Sequence, residues 1–456
     1  HDDLLAPDAI YHVVKRLNLD RSLDLVYTDE DKIDENGRHS EPHFKPQWCP
    51  DHLLSRNYFG HLVVARTSLL KEIGGFRTGF EGSQDYDLLL RLTERILQGD
   101  KRRSIGVGRQ SDRIARVPRV LYHWRIHAGS AARGEDVKPY AYDAAKRALT
   151  EALARRGEPA EVSFLYGFRG YDIRFTSPLK GKVSVVIPTK DKADILATCL
   201  RSLFNLTDHP DFEVIVVSNN STERALFDLM KEMEAAHGER FRWFEHNVPF
   251  NFSGLMNEGT RQATGDHILF LNNDTEIIHA DWMRAMHAWS QRPSIGAVGV
   301  KLLYHNDTIQ HGGVVIGLGG VAGHVFTGTH KDGPGYFNYV NTINNYSAVT
   351  AACMMVERKK LEAIGGWEEL FTVEYNDVDL CLRLREKGWN NVYLPHVSLY
   401  HYESLTRGHP HMTSASYERH LREVSLFKER WKGYVEDDPC YNPALSRGRH
   451  DWHFEL

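Results

Sequence analysis

The stretch that decides the fold is Val183-Ser184-Val185-Val186-Ile187-Pro188-Thr189, an apolar run that ends in polar residues. Helical spacing follows at 195–206, a second apolar run at 212–217, helical spacing again at 225–236 and a third apolar run at 268–271. Strands that alternate with helices in this way predict a parallel sheet covered by helices on both faces. The expected fold class is therefore α/β with a wound sheet, whose ligands bind at the carboxyl ends of the strands.

Three motifs recur in the same order in the two halves of the chain, which indicates an internal repeat. The earlier motifs are Lys71-Glu72-Ile73-Gly74-Gly75-Phe76, Gln84-Asp85-Tyr86-Asp87-Leu88 and Pro118-Arg119-Val120-Leu121-Tyr122-His123. The later ones are Leu361-Glu362-Ala363-Ile364-Gly365-Gly366-Trp367, Asn376-Asp377-Val378-Asp379-Leu380 and Pro395-His396-Val397-Ser398-Leu399-Tyr400-His401. Aligned on these motifs, the earlier copy lacks the strands with which the later copy begins, so we expect one complete copy preceded by the carboxyl-terminal half of another.

This alignment divides the chain into four parts. Residues 1–136 form the truncated half of the first domain, and residues 137–181 form a linker helix, predicted over 141–156, with a connector. Residues 182–415 form the complete second domain, and residues 416–456 form a tail that contains a helix predicted over 417–431. We expect the first part to have no activity of its own, because it lacks the strands that would carry half of the site.

Composition limits the function classes. The 456 residues include 56 basic and 61 acidic side chains, a net charge of −5, so the basic excess that nucleic-acid binding requires is missing. The five cysteines show no C-x-x-C spacing, which argues against a disulfide framework or a cysteine zinc site. The apolar runs are shorter than the ~20 residues of a membrane span. We expect a cytoplasmic protein with at most peripheral association at the inner face of the cell membrane.

Polar side chains follow the first two predicted strands. Pro188, Thr189 and Asp191 follow the first, and Asn219 and Asn220 follow the second. Turn formation would explain each cluster taken singly. Because both clusters come at the ends of successive strands, where the loops of a wound sheet meet, we predict that they hold a nucleotide.

The third strand end carries Asn272-Asn273-Asp274. A carboxylate fixed after a buried strand suits a hard divalent cation such as Mn²⁺ or Mg²⁺, which shares its oxygen ligands with a diphosphate. A helix cap is the alternative, but it explains only one of these residues. We assign Asp274 to the metal and Asn272 and Asn273 to the nucleotide sugar.

Asp377 precedes a predicted helix that the apolar residues Leu380, Leu382 and Leu384 would anchor. A carboxylate held in this way could remove a proton from a hydroxyl group, and a general base contributes ~10²–10⁴ in rate. Helix capping is the competing interpretation of both nearby carboxylates. We assign Asp379 to the cap and Asp377 to catalysis.

The ordered motifs resemble those of family 2 glycosyltransferases of the GT-A fold, and more narrowly those of two-domain bacterial enzymes that build O-antigen or rhamnan-type surface polysaccharide. The matching motifs are Val185-Val186-Ile187-Pro188-Thr189, Asn219-Asn220-Ser221-Thr222, Asn272-Asn273-Asp274, Asn376-Asp377-Val378-Asp379-Leu380 and His401-Tyr402-Glu403-Ser404. The resemblance implies that Asp274 is the metal-binding aspartate, that Asp377 is the catalytic base and that His401 completes the metal and diphosphate site. In the earlier copy the implied counterparts are Asp2, Asp85 and His123, with His127 as a rival for the last role.

The resemblance also implies the reaction. It predicts inverting transfer of a sugar, with rhamnose as the expected sugar, from a nucleotide-diphosphate donor to a hydroxyl of a glycan or lipid-linked glycan acceptor. Two positions depart from the family pattern: Ser218 stands where an aspartate often binds the base, and Asn272 stands where a second acid often binds the metal. A catalytically decayed glycan-binding or scaffold module therefore stays open as an alternative, and a nucleotidyltransferase is a third.

Other motifs are discounted. Gly317-Leu318-Gly319-Gly320-Val321-Ala322-Gly323 resembles a dinucleotide fingerprint, but no helix is predicted after it. The loop histidines lack regular ligand spacing, and we predict that they are surface or acceptor-loop residues: His305, His311, His324 and His330.

Overall fold

The computed structural model describes residues 2–98, 113–126, 139–165, 170–402 and 413–454. A five-stranded sheet lies in the earlier part of the chain and a ten-stranded sheet in the later part. The predicted boundary at 136–137, the rival histidine His127 and the motif residues Glu403 and Ser404 lie outside the described residues.

The earlier part and the connector supply seven strands and five helices among the described residues. They are β1 (Leu4–Leu5), α1 (Ala9–Leu19), β2 (Leu25–Ile33), β3 (His39–His43), α2 (Pro50–Ser55), β4 (Val63–Ala65), α3 (Thr67–Glu72), α4 (Gln84–Gln98), β5 (Ile114–Arg125), α5 (Pro139–Arg155), β6 (Ala160–Leu165) and β7 (Gly170–Phe175). Helix α5 is the predicted linker helix. It ends before Gly157, whose φ of +68° is a left-handed conformation that favours glycine.

The later part begins with the predicted alternation of strands and helices. Its first elements are β8 (Val183–Thr189), α6 (Ala193–Leu206), β9 (Phe212–Ser218), α7 (Arg224–His237), β10 (Phe241–Glu245), α8 (Phe252–Gln262) and β11 (His267–Leu271). The elements that follow are β12 (Thr275–Ile277), α9 (Trp282–Ser290), β13 (Ile295–Leu303), β14 (Ile309–His311), β15 (Val314–Ile316), β16 (Ala322–His324), β17 (Asn344–Tyr346), β18 (Cys353–Glu357), α10 (Arg358–Ala363), α11 (Asn376–Glu386), β19 (Asn390–His401), α12 (Ser414–Arg430) and α13 (Lys432–Glu436).

The large sheet is mixed, with the strand order β10-β9-β8-β11-β18-β13-β19-β12. Strands β9, β8 and β11 run parallel as predicted, and β10, for which no strand was predicted, is parallel to β9. Strand β18 is antiparallel to β11 and β13, and β12 is antiparallel to β19. The expectation of an all-parallel sheet is therefore wrong for this half. For β18 to run parallel to β13, the chain between them would need a long crossover, usually a helix. The described chain between β14 and β18 holds only short strands and 3₁₀ turns.

The small sheet repeats the pairings of this second half in the same chain order. Strand β2 is parallel to β5 as β13 is to β19, and β3 pairs with β2 as β14 does with β13. Strands β4 and β1 pair antiparallel with β2 and β5, as β18 and β12 do with β13 and β19. These pairings support the two-copy arrangement, which we propose here. The register sets Leu4 opposite His123 and Thr275 opposite His401, so Asp3, rather than Asp2, stands at the position of Asp274.

The two parts share buried contacts. A single apolar cluster includes Tyr27 of the earlier sheet and Val392 of the later one. From the tail, the amide nitrogen of Asn442 donates to both carboxylate oxygens of Asp29, at 3.1 and 3.0 Å. All five cysteines are buried free thiols. Across the described ranges we find no helix that combines the length and apolar character needed to cross a bilayer.

Glu213 joins three strands at the parallel edge of the large sheet. Its buried carboxylate accepts hydrogen bonds from Ser184 Oγ and from the backbone N–H and hydroxyl of Thr264, all at 2.7 Å, and from Arg242 at 2.9 Å. Burial alone would raise the pKa of Glu213, but these donors outweigh it and lower the pKa from about 4.5 to about 2. Because the folded-state pKa is depressed, the carboxylate stabilises the fold above pH 4.5 and loses that effect as the pH falls through 2.

We therefore expect Glu213→Gln to lower the free energy of unfolding at pH 7 and to flatten its fall between pH 4.5 and 2. Urea unfolding at several pH values measures both effects. Glu234→Gln, on the exposed side of α7, serves as the matched control and should change neither. If the two variants follow the same pH profile, the hydrogen bonds to Glu213 do not hold its carboxylate in the ionised form.

Candidate active site

A cavity of about 970 Å³ opens at the carboxyl ends of β8, β9 and β11. Among its lining are nine residues that the sequence singles out: Pro188, Thr189, Asn219, Asn220, Asn272, Asn273, Asp274, Asp377 and His401. The wound sheet thus brings the predicted nucleotide residues other than Asp191, the predicted metal pair and the predicted base around one pocket.

At the ends of β9 and β11, two asparagine side chains of the predicted nucleotide site form hydrogen bonds with neighbouring loops. The side-chain nitrogen of Asn219 donates to the carbonyl oxygens of His246 at 2.8 Å and Val248 at 2.9 Å. Asn273 donates to the hydroxyl of Thr189 at 3.0 Å. Because these amides are buried and bonded, they fix the pocket floor before any ligand binds.

Asp191 does not belong to the lining of the pocket. Its Oδ1 atom accepts hydrogen bonds from the backbone N–H groups of Thr222 at 2.7 Å and Glu223 at 2.9 Å, which lower the pKa of its carboxyl group. The carboxylate ties the loop after β8 to the loop after β9. Its place in the structure is therefore beside the predicted nucleotide site, as a brace between two loops.

Asp274 and His401 meet because β12 pairs with the end of β19. Asp274 Oδ1 lies 3.3 Å from His401 Nε2, outside hydrogen-bond geometry, and both residues are only 5% exposed. This oxygen is buried and accepts no hydrogen bond from the described residues. Two ligands side by side on one small cation stand roughly 3 Å apart, so the pair fits a divalent ion. On the far side of the ring, His401 Nδ1 lies 3.3 Å from Gln310 Oε1, which can orient the imidazole.

Asp377 lies in the first turn of α11 and faces the pocket. Its Oδ2 atom accepts a hydrogen bond from the backbone N–H of Ala351 at 3.0 Å, and its Oδ1 atom accepts one from Val378 at 2.8 Å. Tyr375, the residue directly before α11, has a φ of +58°, which turns the incoming loop sharply into the helix. The carboxylate is therefore held at a defined place on the pocket wall.

Glu423 on α12 holds the loop that leads to Asp377. Its buried carboxylate accepts hydrogen bonds from the backbone N–H groups of Thr372 at 3.0 Å and Glu374 at 2.7 Å, and a further bond from the Thr372 hydroxyl. No local sequence pattern predicts this role, because Glu423 is one of several charged residues on the predominantly polar helix α12. The C-terminal helix is thus part of the structure that positions the predicted base.

The assignment of Asp379 to a helix cap is wrong. Its carboxylate accepts hydrogen bonds from Arg383 at 2.7 Å, from Arg430 at 3.0 Å and from the Trp431 indole at 3.0 Å. These partners join α11 to the C-terminal helix. Asp87 of the earlier copy is likewise bonded to arginine side chains.

The expectation that the loop histidines are surface or acceptor-loop residues is wrong for His311. His311 is fully buried, where its Nε2 atom accepts from the backbone N–H of Thr350 at 3.3 Å, and burial lowers its pKa well below the usual value. His324 lines the pocket. Further lining residues that sequence reasoning missed include Lys190, Gln310, Thr350 and Arg419. The Nε atom of Arg419 is buried without a hydrogen-bond partner among the described residues.

In the part assigned to the earlier copy, the predicted residues lie on different elements: Asp2 precedes β1, Asp85 is in the first turn of α4, and His123 is on β5. Asp85 accepts a hydrogen bond from Asn57 at 2.9 Å, and Asp2 is exposed, with its backbone carbonyl accepting from Arg125. His123 Nδ1 lies 2.6 Å from Asp31 Oδ1, a carboxylate that the sequence did not single out.

A wound α/β sheet with a polar pocket at its strand ends places the protein among the α/β proteins that bind ligands at the carboxyl edge of the sheet. Within that class, the chain belongs to glycosyltransferase family 2: residues 180–425 match the family model described as "Glycosyltransferase like family 2". The predicted GT-A fold class and family are therefore confirmed.

The curated relatives are longer proteins. The uncharacterized protein y4gI of Sinorhizobium fredii is 42% identical over 99% of this chain and 48% of its own length. The O-antigen biosynthesis protein RfbC of Myxococcus xanthus is 38% identical over 98% of this chain and 33% of its own length. A solved structure, GalNAc-T7 with UDP, GalNAc and Mn²⁺, is 14% identical with a TM-score of 0.48, covering 69% of this chain and 61% of that one. The chain spans less than half the length of these two curated relatives.

Proposed function

We propose that this chain carries an inverting glycosyltransferase that moves a sugar, rhamnose, from a nucleoside-diphosphate donor to a hydroxyl of a growing bacterial surface glycan. The observation that carries the proposal is that Asp377 and the Asp274–His401 pair face one pocket at the ends of the wound strands. The similarity to an O-antigen biosynthesis protein supports the choice of a surface glycan. For a lipid-linked acceptor, we propose peripheral association at the cytoplasmic face of the membrane.

The donor is placed across the strand ends. Pro188, Thr189 and the asparagine side chains line the nucleoside side of the pocket, and Asp274 with His401 would hold the divalent cation. A bound cation supplies positive charge that stabilises the diphosphate as it leaves. Arg419, whose Nε atom lacks a partner among the described residues, is the second cationic group that we assign to the diphosphate.

The reaction proceeds by direct displacement. The acceptor hydroxyl gives its proton to the Asp377 carboxylate as its oxygen attacks the anomeric carbon, and the bonding pair of the breaking bond leaves with the diphosphate oxygen. Attack opposite to the leaving group inverts the configuration. A glycoside hydrolase would need two carboxylates flanking the bond with water as nucleophile. Of the three carboxylates in this lining, we assign Asp274 to the cation and Asp377 to the base, and Glu374 is paired with His420.

Donor binding tests the metal side of the proposal. We expect a panel of nucleotide sugars that includes a rhamnose donor to raise the melting temperature, with a larger shift in Mn²⁺. Asp274→Asn should weaken Mn²⁺-dependent donor binding by at least about tenfold in calorimetry, since it removes the charged ligand. Asp208→Asn, an exposed carboxylate 3.3 Å from Arg284, is the control. Equal Mn²⁺ dependence in all three proteins would remove Asp274 from the metal site.

A further inference from the structure

We infer that the small sheet carries a separate metal site, formed by Asp31, His39 and His123, that takes a first-row transition ion such as Zn²⁺. The three side chains offer ligand atoms that all lie within 4.8 Å of one another. None of them lines the pocket of the later sheet. The inference concerns a different place in the fold from the proposed transfer site and does not depend on it.

The sheet register brings these side chains together. Asp31 lies on β2, the strand between β5 and β3, and faces His123 directly across the parallel pair. His39 on β3 is opposite Ile33, two residues along β2 from Asp31. Because side chains two apart on a strand share a face, His39 and Asp31 point to the same side of the sheet.

The distances suit one small ion. His123 Nδ1 lies 2.6 Å from Asp31 Oδ1, and His39 Nδ1 lies 2.8 Å from Asp31 Oδ2. The ring centroids of His39 and His123 lie 4.6 Å apart, in an edge-to-face arrangement. Ligands on one such ion are roughly 3 Å apart, so an ion could replace the shared protons with only a small separation of the side chains.

The ligand set favours a transition ion. Two imidazoles and one carboxylate suit Zn²⁺ and its neighbours better than Mg²⁺ or Ca²⁺, which prefer oxygen ligands. The Asp31 side chain is 9% exposed and that of His123 is 15% exposed, whereas His39 is 49% exposed and leaves an entry path and room for water ligands.

Neighbouring charged groups are engaged elsewhere. Lys32 pairs with Glu41 at 2.7 Å, and the Asp3 carboxylate accepts from the Tyr122 hydroxyl at 2.5 Å and the Arg125 backbone at 2.9 Å. The site also differs from that of the later sheet. In the later sheet, His401 corresponds to His123, and β14 corresponds to β3. The β14 side chain that contacts His401 is the amide of Gln310, whereas β3 of the small sheet supplies His39.

Zn²⁺ titration of the intact chain, freed of metal by a chelator, tests the inference. In an Asp274→Asn/His401→Ala background we expect one equivalent of Zn²⁺ to remain bound, and Co²⁺ to give the visible absorption of a histidine-bound ion. Adding His39→Ala should weaken Zn²⁺ binding by at least about tenfold and remove the Co²⁺ spectrum. His12→Ala, which removes a partly buried histidine on α1, 3.0 Å from Asp8, should leave both unchanged.

His39 is half-exposed, so its replacement should leave the melting temperature near that of the background protein. His123→Gln provides a second variant with the same expected loss of Zn²⁺. The inference is overturned if the background protein binds no Zn²⁺, or if it binds Zn²⁺ with unchanged affinity when His39 and His123 are replaced. Neither readout involves sugar transfer, so failure here and failure of the proposed function are distinguishable.

Discussion

Asp377→Asn should lower the rate of sugar transfer by ~10²–10⁴, the usual contribution of a general base, while leaving donor affinity unchanged. The amide that replaces the carboxylate has nearly the same shape and still has an oxygen that can accept from the backbone of Ala351, so the loop should keep its place. What is lost is the group that accepts the proton of the attacking hydroxyl. Asp377 is on α11, whereas the residues assigned to the nucleoside follow β8 and β9, so we expect donor binding to survive.

Two measurements separate these outcomes. Acceptor-dependent release of nucleoside diphosphate gives the rate, and calorimetry gives donor affinity. Asp194→Asn, another carboxylate in the first turn of a helix but outside the pocket lining, should transfer sugar at the wild-type rate. Normal turnover of Asp377→Asn, or lost donor binding, would remove Asp377 from the role of base. A wild-type protein that binds glycan but releases no nucleoside diphosphate would favour the decayed-module alternative.

The wound half of the fold was predictable because its sequence carries strong local signals. Strands β8, β9 and β11 are mainly apolar, and α6 and α7 have regular apolar spacing, so the bounds of these five elements lie within two residues of the predicted ones. Strand β10 and helix α8 were not predicted. The mixed half was not predictable in the same way. Strands such as β12, of three residues, take their direction from long-range pairing rather than from any local pattern.

The site shows the same division. Asp274, Asp377 and His401 could be proposed as site residues because each follows a strand, begins a helix or ends a strand within a recognisable motif. Asp379 was misassigned because capping is the local expectation near a helix start, whereas its actual partners Arg430 and Trp431 are 51 and 52 residues away in sequence. A buried hydrogen bond to residues so far away in sequence cannot be predicted from local spacing.

Arg292→Met should lower the free energy of unfolding by about 3–5 kcal/mol, the usual loss when one partner of a buried ion pair is removed. Arg292 Nη1 donates to Asp51 at 2.7 Å and its Nε donates to Glu158 at 3.0 Å. Burial by itself would lower the pKa of Arg292, but these two carboxylates outweigh it and raise it. Methionine fills the space but leaves the Asp51 carboxylate, only 3% exposed, with a hydrogen bond from the Asn345 amide and without the guanidinium that pairs with it directly.

The Arg292–Asp51 ion pair joins the earlier part of the chain to the domain that holds the pocket, so Arg292→Met should unfold at a lower urea concentration than the wild-type protein. Arg201→Met breaks an exposed pair with Glu232 at 3.5 Å and should change stability by no more than about 1 kcal/mol. Adding Asp51→Asn to Arg292→Met should restore part of the loss, because no buried charge then remains unpaired. If Arg292→Met is as mild as Arg201→Met, the ion pair does not couple the two parts, and their other buried contacts hold them together.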